Sequence, residues 1–173
     1  MISLKCFRRE GGFSREGLKE FDGVYKERHV ARTGDLFIAC TDLTQDAEVV
    51  GNPIVLNDNF GYSLLVFSMD TVKVIPTGVL GTQFLYHLMQ TRLFKGHCKA
   101  HANGSTVLHL QKSAIPEFEF FIPPIQKSDA FESKCEQFNK RIVLNELQIE
   151  SLERQRDTLL PKLMSGEVRV QMD

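Results

Sequence analysis

Over the last quarter of the chain, anchor residues recur at alternating steps of four and three: Phe131, Cys135, Phe138, Ile142, Asn145, Ile149, Leu152, Arg156, Leu159 and Leu163. Eight of the ten are apolar or cysteine. A mean step of 3.5 residues marks the seam of a coiled coil rather than one face of an ordinary surface helix. The spacing predicts a helix from about Ser128 to Leu160 that needs a partner helix to cover its seam. About 32 residues at ~1.5 Å each make an arm of roughly 48 Å, somewhat longer than one turn of B-DNA at ~34 Å, so the helix reads as a spacer. Asn145 and Arg156 interrupt the seam. Polar seam residues cost stability and favour one register; they are also found solvated where two helices diverge. Asp129-Ala130-Phe131-Glu132 offers a capping box, Pro161 predicts a bend, and Glu167-Val168-Arg169-Val170 alternates like a short docking strand.

Upstream, the pattern changes period. Asp35 to Cys40, Pro53 to Leu56, Tyr62 to Ser68, Val72 to Ile75, Thr106 to Leu110 and Phe118 to Ile122 are rich in β-branched and aromatic residues. They are separated by Gly, Pro, Asn and Asp clusters, which predicts strands and turns. Leu80, Phe84, Leu85, Leu88, Met89 and Leu93 recur at helical spacing, with Gly96 placed to close that helix in a left-handed conformation. The fold class expected is α+β: a globular domain over residues 1–122, then a long helix and docking tail over 123–173, with the boundary at Pro123-Pro124.

Composition bounds this picture. A chain of 173 residues, 42% hydrophobic and 25% charged, can bury one core and carry an extension. Cys6, Cys40, Cys98 and Cys135 share no CxxC spacing, which predicts reduced thiols. No charged-then-apolar leader follows Met1, and no apolar run nears the roughly 18 residues that span a bilayer. A soluble, cytoplasmic protein without membrane partners is expected.

The net charge of -1 conceals a segregation. Residues 1–32 carry eight Lys or Arg and five acids; residues 35–72 carry six acids and no Lys or Arg; residues 73–112 carry five basic residues, four histidines and no acid. Folding can gather these blocks into one positive face, the footprint of a nucleic-acid binder, or interleave them into a mixed surface. Two segments supply candidate DNA contacts. In the first, Lys5, Arg8, Arg9 and Arg15 surround flexible glycines, and paired guanidiniums suit guanine or phosphates. A frayed, merely charged terminus is the other reading. In the second, a polar loop from Lys95 to Thr106 offers Lys95, His97, Lys99, His101, Asn103, Ser105 and Thr106, with Gly104 allowing close approach. A solvated loop without a ligand would look the same. His97-Cys98-Lys99-Ala100-His101 also has metal-binding residue types, but no fourth ligand stands at zinc-motif spacing.

Chemistry is not evident. Methyl transfer to adenine would need a glycine-rich cofactor loop and an Asp-Pro-Pro-Tyr-like clamp, and Ile122-Pro123-Pro124 lacks the polar first residue. Glu132-Ser133-Lys134 has the form of a nuclease Glu-x-Lys pair but lies on the long helix. No Gly-x-x-x-x-Gly-Lys loop is present for ATP. No catalytic, cofactor-binding or metal-ligating residues are expected, and no cofactor.

The tail Leu159-Leu160-Pro161-Lys162-Leu163-Met164-Ser165-Gly166-Glu167-Val168-Arg169-Val170, behind a long helix and Phe121-Ile122-Pro123-Pro124-Ile125, resembles the specificity subunit of type I restriction-modification systems. Thr33 to Asp42, Val50 to Leu56, Phe84 to Leu88 and Asn103 to Val107 are similar to one target recognition domain of that family. The resemblance implies a non-catalytic protein that reads double-stranded DNA. In the family, a full subunit carries two recognition domains and two long helices, methyltransferase subunits modify adenine, and restriction subunits cleave. One domain and one helix resemble half a subunit, which implies a homodimer or pairing with another half through the ten anchors. Two identical halves related by a two-fold axis would read a palindromic split site. Pro123-Pro124-Ile125-Gln126-Lys127 departs from the family, whose members commonly continue with an acid and glutamine. The alternative function is an interaction protein that no longer binds DNA and competes for modification subunits through its helix.

Overall fold

Leu36-Phe37-Ile38-Ala39 is buried at every position, and its side chains divide between two cores by parity. Leu36 and Ile38 join Cys40, Val50, Val55, Met89, Phe94, Cys98, Leu110 and Ala114. Phe37 and Ala39 join Ile2, Cys6, Phe7, Ala31, Ile54, Leu56 and Leu65. Because successive strand side chains point to opposite faces, a strand covered on both sides reads as a continuous apolar run.

The computed structural model describes residues 1–168. In chain order these form β1 (Val30–Ala31), β2 (Leu36–Ala39), β3 (Thr41–Asp42), β4 (Pro53–Val55), β5 (Leu65–Val66), β6 (Thr71–Val74), α1 (Thr82–Met89), α2 (Arg92–Ala100), β7 (Ala102–Asn103), β8 (Leu108–Leu110), α3 (Ala114–Glu117) and α4 (Ile125–Met164). Single 3-10 turns occur at Leu4–Cys6, Arg15–Gly17 and Glu27–His29. The class is α+β with a long C-terminal helix. Three small antiparallel sheets have the orders β1-β5, β4-β2-β6 and β3-β8-β7. Residues from α1, α2 and α3 fill the core on one face of β2, and the amino-terminal segment fills the other.

The chain divides into two units, Met1–Cys135 and Glu136–Asp173. The first eleven residues of α4 therefore belong with the sheets. Ser128 and Cys135 are buried there, and Phe131 makes edge contacts with Phe84 and His87 at ring-centroid distances of 6.1 and 5.4 Å. No described residue of the second unit is buried.

Several local expectations change. The single core helix is two, because Thr91 stops α1 and its hydroxyl accepts from Phe94 N–H to start α2. Gly96 consequently lies inside a helix rather than closing one. Phe118 to Ile122 forms no strand. The long helix starts at Ile125, so Asp129 to Glu132 cannot cap it; Glu132 instead accepts from Gln83 N–H at 2.8 Å and Phe84 N–H at 2.9 Å, capping α1. Pro161 is carried within α4, at the cost of the hydrogen bond its missing N–H would give Asp157. Of the expected docking strand, Glu167 and Val168 are not in a strand, and Arg169 and Val170 lie outside the described residues.

Candidate nucleic-acid interface

The two basic segments, Lys5 to Arg15 and Lys95 to Thr106, are eighty residues apart, and the fold ties both to one loop, Leu43–Asn52. That loop is built around Asp42, a buried carboxylate at the end of β3. It accepts from Thr44 N–H at 2.9 Å, Thr44 Oγ1 at 2.8 Å, Val49 N–H at 2.6 Å and Val50 N–H at 3.1 Å. Burial opposes the charge, but these donors together outweigh it and hold the carboxyl below its usual range. Ala47 takes a left-handed φ of 56° inside the loop, a conformation that a non-glycine residue keeps only when its surroundings impose it.

On one side of the loop, Arg8 to Gly12 make a tight hairpin. Phe7 and Phe13 pair across it, Arg8 N–H donates to Gly12 O, and Gly11 and Gly12 have φ of 95° and 92°. The buried Asn52 amide donates to the carbonyls of Arg8 at 2.9 Å, Arg9 at 3.3 Å and Glu48 at 3.2 Å, which pins the hairpin to the loop. Arg8 and Arg9 are exposed, and Arg9 Nε lies 3.1 Å from Glu48 Oε2. The Arg15 guanidinium is 5.4 Å above the Phe60 ring, which stacks on Phe13 at 5.2 Å. Lys5 is exposed on the first 3-10 turn.

On the other side stand α2 and the β7–β8 turn. Lys99 Nζ donates to Asp46 O and Gln45 Nε2 donates to Ser105 O, each at 3.1 Å. Asn103, Ser105 and Thr106 are exposed, and Lys95 is half-buried. The segment expected as a polar loop is helical as far as Ala100, so its side chains are displayed at fixed angles.

The histidines serve the frame more than the surface. His97 Nε2 donates to Ala114 O and His101 Nδ1 donates to His97 O, both at 2.8 Å, with the two rings 4.4 Å apart. Each bond engages one ring nitrogen of its histidine. Cys98 between them is fully buried in the core, where desolvation, with a smaller contribution from Cys40, pushes its thiol up to about 12. Among the described residues, no three His, Cys, Asp or Glu side chains are grouped to hold a metal ion.

Asp42, Gln45, Glu48 and Asn52 were not anticipated as site residues. They fall in the acid-rich block, where sequence showed only negative charge; Gly51-Asn52-Pro53 was the available turn signal. The eight anchors from Phe138 to Leu163 are all exposed, whereas Phe131 and Cys135 pack within the first unit. Among the described residues, no helix is long and apolar enough to cross a membrane.

Exposed basic and polar side chains from both segments thus stand on elements tied to one loop, which also carries the acids Asp46 and Glu48. No family model matches the chain. Over 104 residues, 60% of its length, the chain is 29% identical to the type I restriction enzyme MjaIX specificity subunit of Methanocaldococcus jannaschii. The match spans 24% of that protein, so this chain corresponds to about a quarter of its relative.

Proposed function

We propose that this protein recognises double-stranded DNA as a specificity subunit of a type I restriction-modification system, without catalytic activity of its own. The hairpin bearing Arg8 and Arg9, together with Lys5 and Arg15, contacts the duplex on one side of the Leu43–Asn52 loop. Lys95, Lys99, Asn103, Ser105 and Thr106 contact it on the other, and His97 and His101 hold that side in shape. The exposed seam of α4 pairs with another helix, so that two recognition units address a bipartite target and bring methyltransferase and restriction subunits to it. Residues 1–122 read the DNA, and 123–173 supply spacing and docking.

The observation that carries this reading is the meeting of two basic segments, distant in sequence, at one loop held by Asn52, Gln45 and Lys99. Arginine and lysine there would neutralise phosphates, and the exposed amide and hydroxyls have the donors and acceptors that base edges require.

Fluorescence anisotropy with labelled duplex, with and without the methyltransferase subunit, tests it. Binding should weaken steeply with salt, and Lys99→Ala or Arg8→Ala should each lower the log–log slope by about 0.9 if its side chain meets one phosphate. A chain that associates with the methyltransferase subunit but gives no anisotropy change on any duplex would instead be an interaction protein competing for that subunit.

A further inference from the structure

We propose that Arg9 reads a guanine through the outer edge of its guanidinium, with Glu48 as the positioning residue that aims it, while the neighbouring Arg8 meets a phosphate. This rests on the reading above that the surface binds duplex DNA, and it separates base contact from backbone contact within one hairpin.

The two arginines are adjacent and both exposed, but they are held differently. The buried Asn52 amide donates to the carbonyls of both, so their backbones share one anchor. Their side chains do not. Arg9 Nε lies 3.1 Å from Glu48 Oε2, with the two side chains 64% and 33% exposed. Asn52 also donates to Glu48 O at 3.2 Å, so the carboxylate and the arginine it meets hang from the same amide. Among the described residues, the Arg8 guanidinium has no acid paired with it.

An ion pair this open to water adds little to stability. Its consequence is direction. A carboxylate on the Nε side leaves the outer edge of the guanidinium, with its two terminal nitrogens, for another partner. In the major groove guanine offers two acceptors, N7 and O6, that such an edge meets together, whereas adenine puts an amino donor where O6 would be. A phosphate is the poorer occupant. It presents acceptors in several directions and gains little from an aimed fork, and the Glu48 charge repels it. Arg8, with no acid beside it, suits the phosphate.

The full chain, alone and with the methyltransferase subunit, is mixed with a pool of duplexes of random sequence and the bound fraction is sequenced. The enriched duplex and a random one are then titrated at several salt concentrations. Wild type should enrich a guanine at a fixed position. Arg9→Lys keeps the charge and loses the fork. It should lower affinity for the enriched duplex about tenfold or more, remove the preference at that position and leave the salt slope unchanged. Arg8→Ala should weaken both duplexes alike and lower the slope by about 0.9. Glu48→Gln keeps the carbonyl that Asn52 holds and releases Arg9. It should weaken the guanine preference and raise the slope by up to about 0.9, which a merely structural glutamate would not do. Unchanged slope and preference in that variant would refute the aiming. Guanine preference retained in Arg9→Lys, or a uniform loss in Arg9→Ala like that of Arg8→Ala, would overturn the base contact. A bound pool with no fixed guanine would overturn it as well, with DNA binding intact. Failure of the wild-type chain to bind any duplex removes the DNA reading itself, and this assignment with it.

Discussion

Within α4, Phe131 and Cys135 lie on the same stripe as Ile149 and Leu152, yet the two pairs have different surroundings. Cys135 is buried and Phe131 rests on Phe84 and His87, while Ile149 and Leu152 are more than half exposed. Sequence periodicity reports that a stripe needs covering; it does not say by what. The first eleven residues of the helix belong to the unit that contains the sheets, and the remaining anchors are exposed among the described residues. One heptad spacing therefore runs through two different surroundings, packed within the first unit at its start and exposed beyond it.

The same substitution placed on each part should break that contrast most visibly. Cys135→Asp buries a carboxylate in a place where desolvation, and then the nearby Glu132 charge, already push the thiol up. An unpaired buried charge should destabilise the first unit by roughly 3 kcal/mol or more. Leu152→Asp should change that unit by no more than about 0.5 kcal/mol, as expected at a surface position, while abolishing self-association. Tyr25, Tyr62 and Tyr86 are the three tyrosines, all in the first unit, and the chain has no tryptophan. Tyrosine fluorescence during urea unfolding therefore reads that unit alone, and sedimentation reads pairing.

Acid sharpens the contrast from the other direction, because the first unit depends on a buried carboxylate and the described part of the second has no buried residue. The Asp42 pKa lies below the usual carboxylate range in the folded state. Its contribution is therefore fully present above the ordinary aspartate value and is lost as pH falls through the lower, folded value, since the unfolded chain takes up the proton first. Asp42→Asn turns an amide toward backbone donors and should cost about 2 kcal/mol at neutral pH. The variant should also lose part of the acid dependence of urea stability below pH 4 or so. An unchanged slope there would mean that Asp42 does not hold the loop.

How far all this was legible from sequence depended on whether the signal was local. Leu36–Ala39, Pro53–Val55, Thr71–Val74 and Leu108–Leu110 fall inside predicted strands because β-branched and apolar residues mark them and turn residues bound them. Phe118 to Ile122 has the same residue types but no neighbouring strand to pair with, and pairing is a tertiary fact. The break between α1 and α2 is signalled by Thr91, a good N-cap, but Leu93 continues the apolar spacing across it and masks the signal. At the candidate site, the charged residues could be picked out but their convergence could not. Asn52 reaches back 44 residues to Arg8, and Gln45 reaches forward 60 to Ser105. Glu132 is the clearest case: its position suggested a local capping box, and it caps a helix nearly fifty residues away.

That distant cap supplies the smallest effect and the closest test of the attachment. Gly81 precedes α1 and has no side-chain oxygen to give its first N–H groups, so the carboxylate of Glu132 takes that place. A negative charge at a helix N-terminus is favoured by the macrodipole as well as by the hydrogen bonds. A Cβ on Gly81 would overlap the Glu132 carboxylate, which ties the absence of a side chain at 81 to the presence of one at 132. Glu132→Ala should therefore cost about 1 kcal/mol, the usual cost of losing an N-cap. Gly81→Ala, whose backbone φ of -77° suits any residue, should cost a similar amount by evicting the carboxylate. Because both remove the same interaction, the double variant should be less destabilised than the two effects added, by about 1 kcal/mol. Urea titrations followed by tyrosine fluorescence would give the three values. Simple additivity would mean that Glu132 and the start of α1 are independent, leaving Phe131 and Cys135 to hold the beginning of α4 in place.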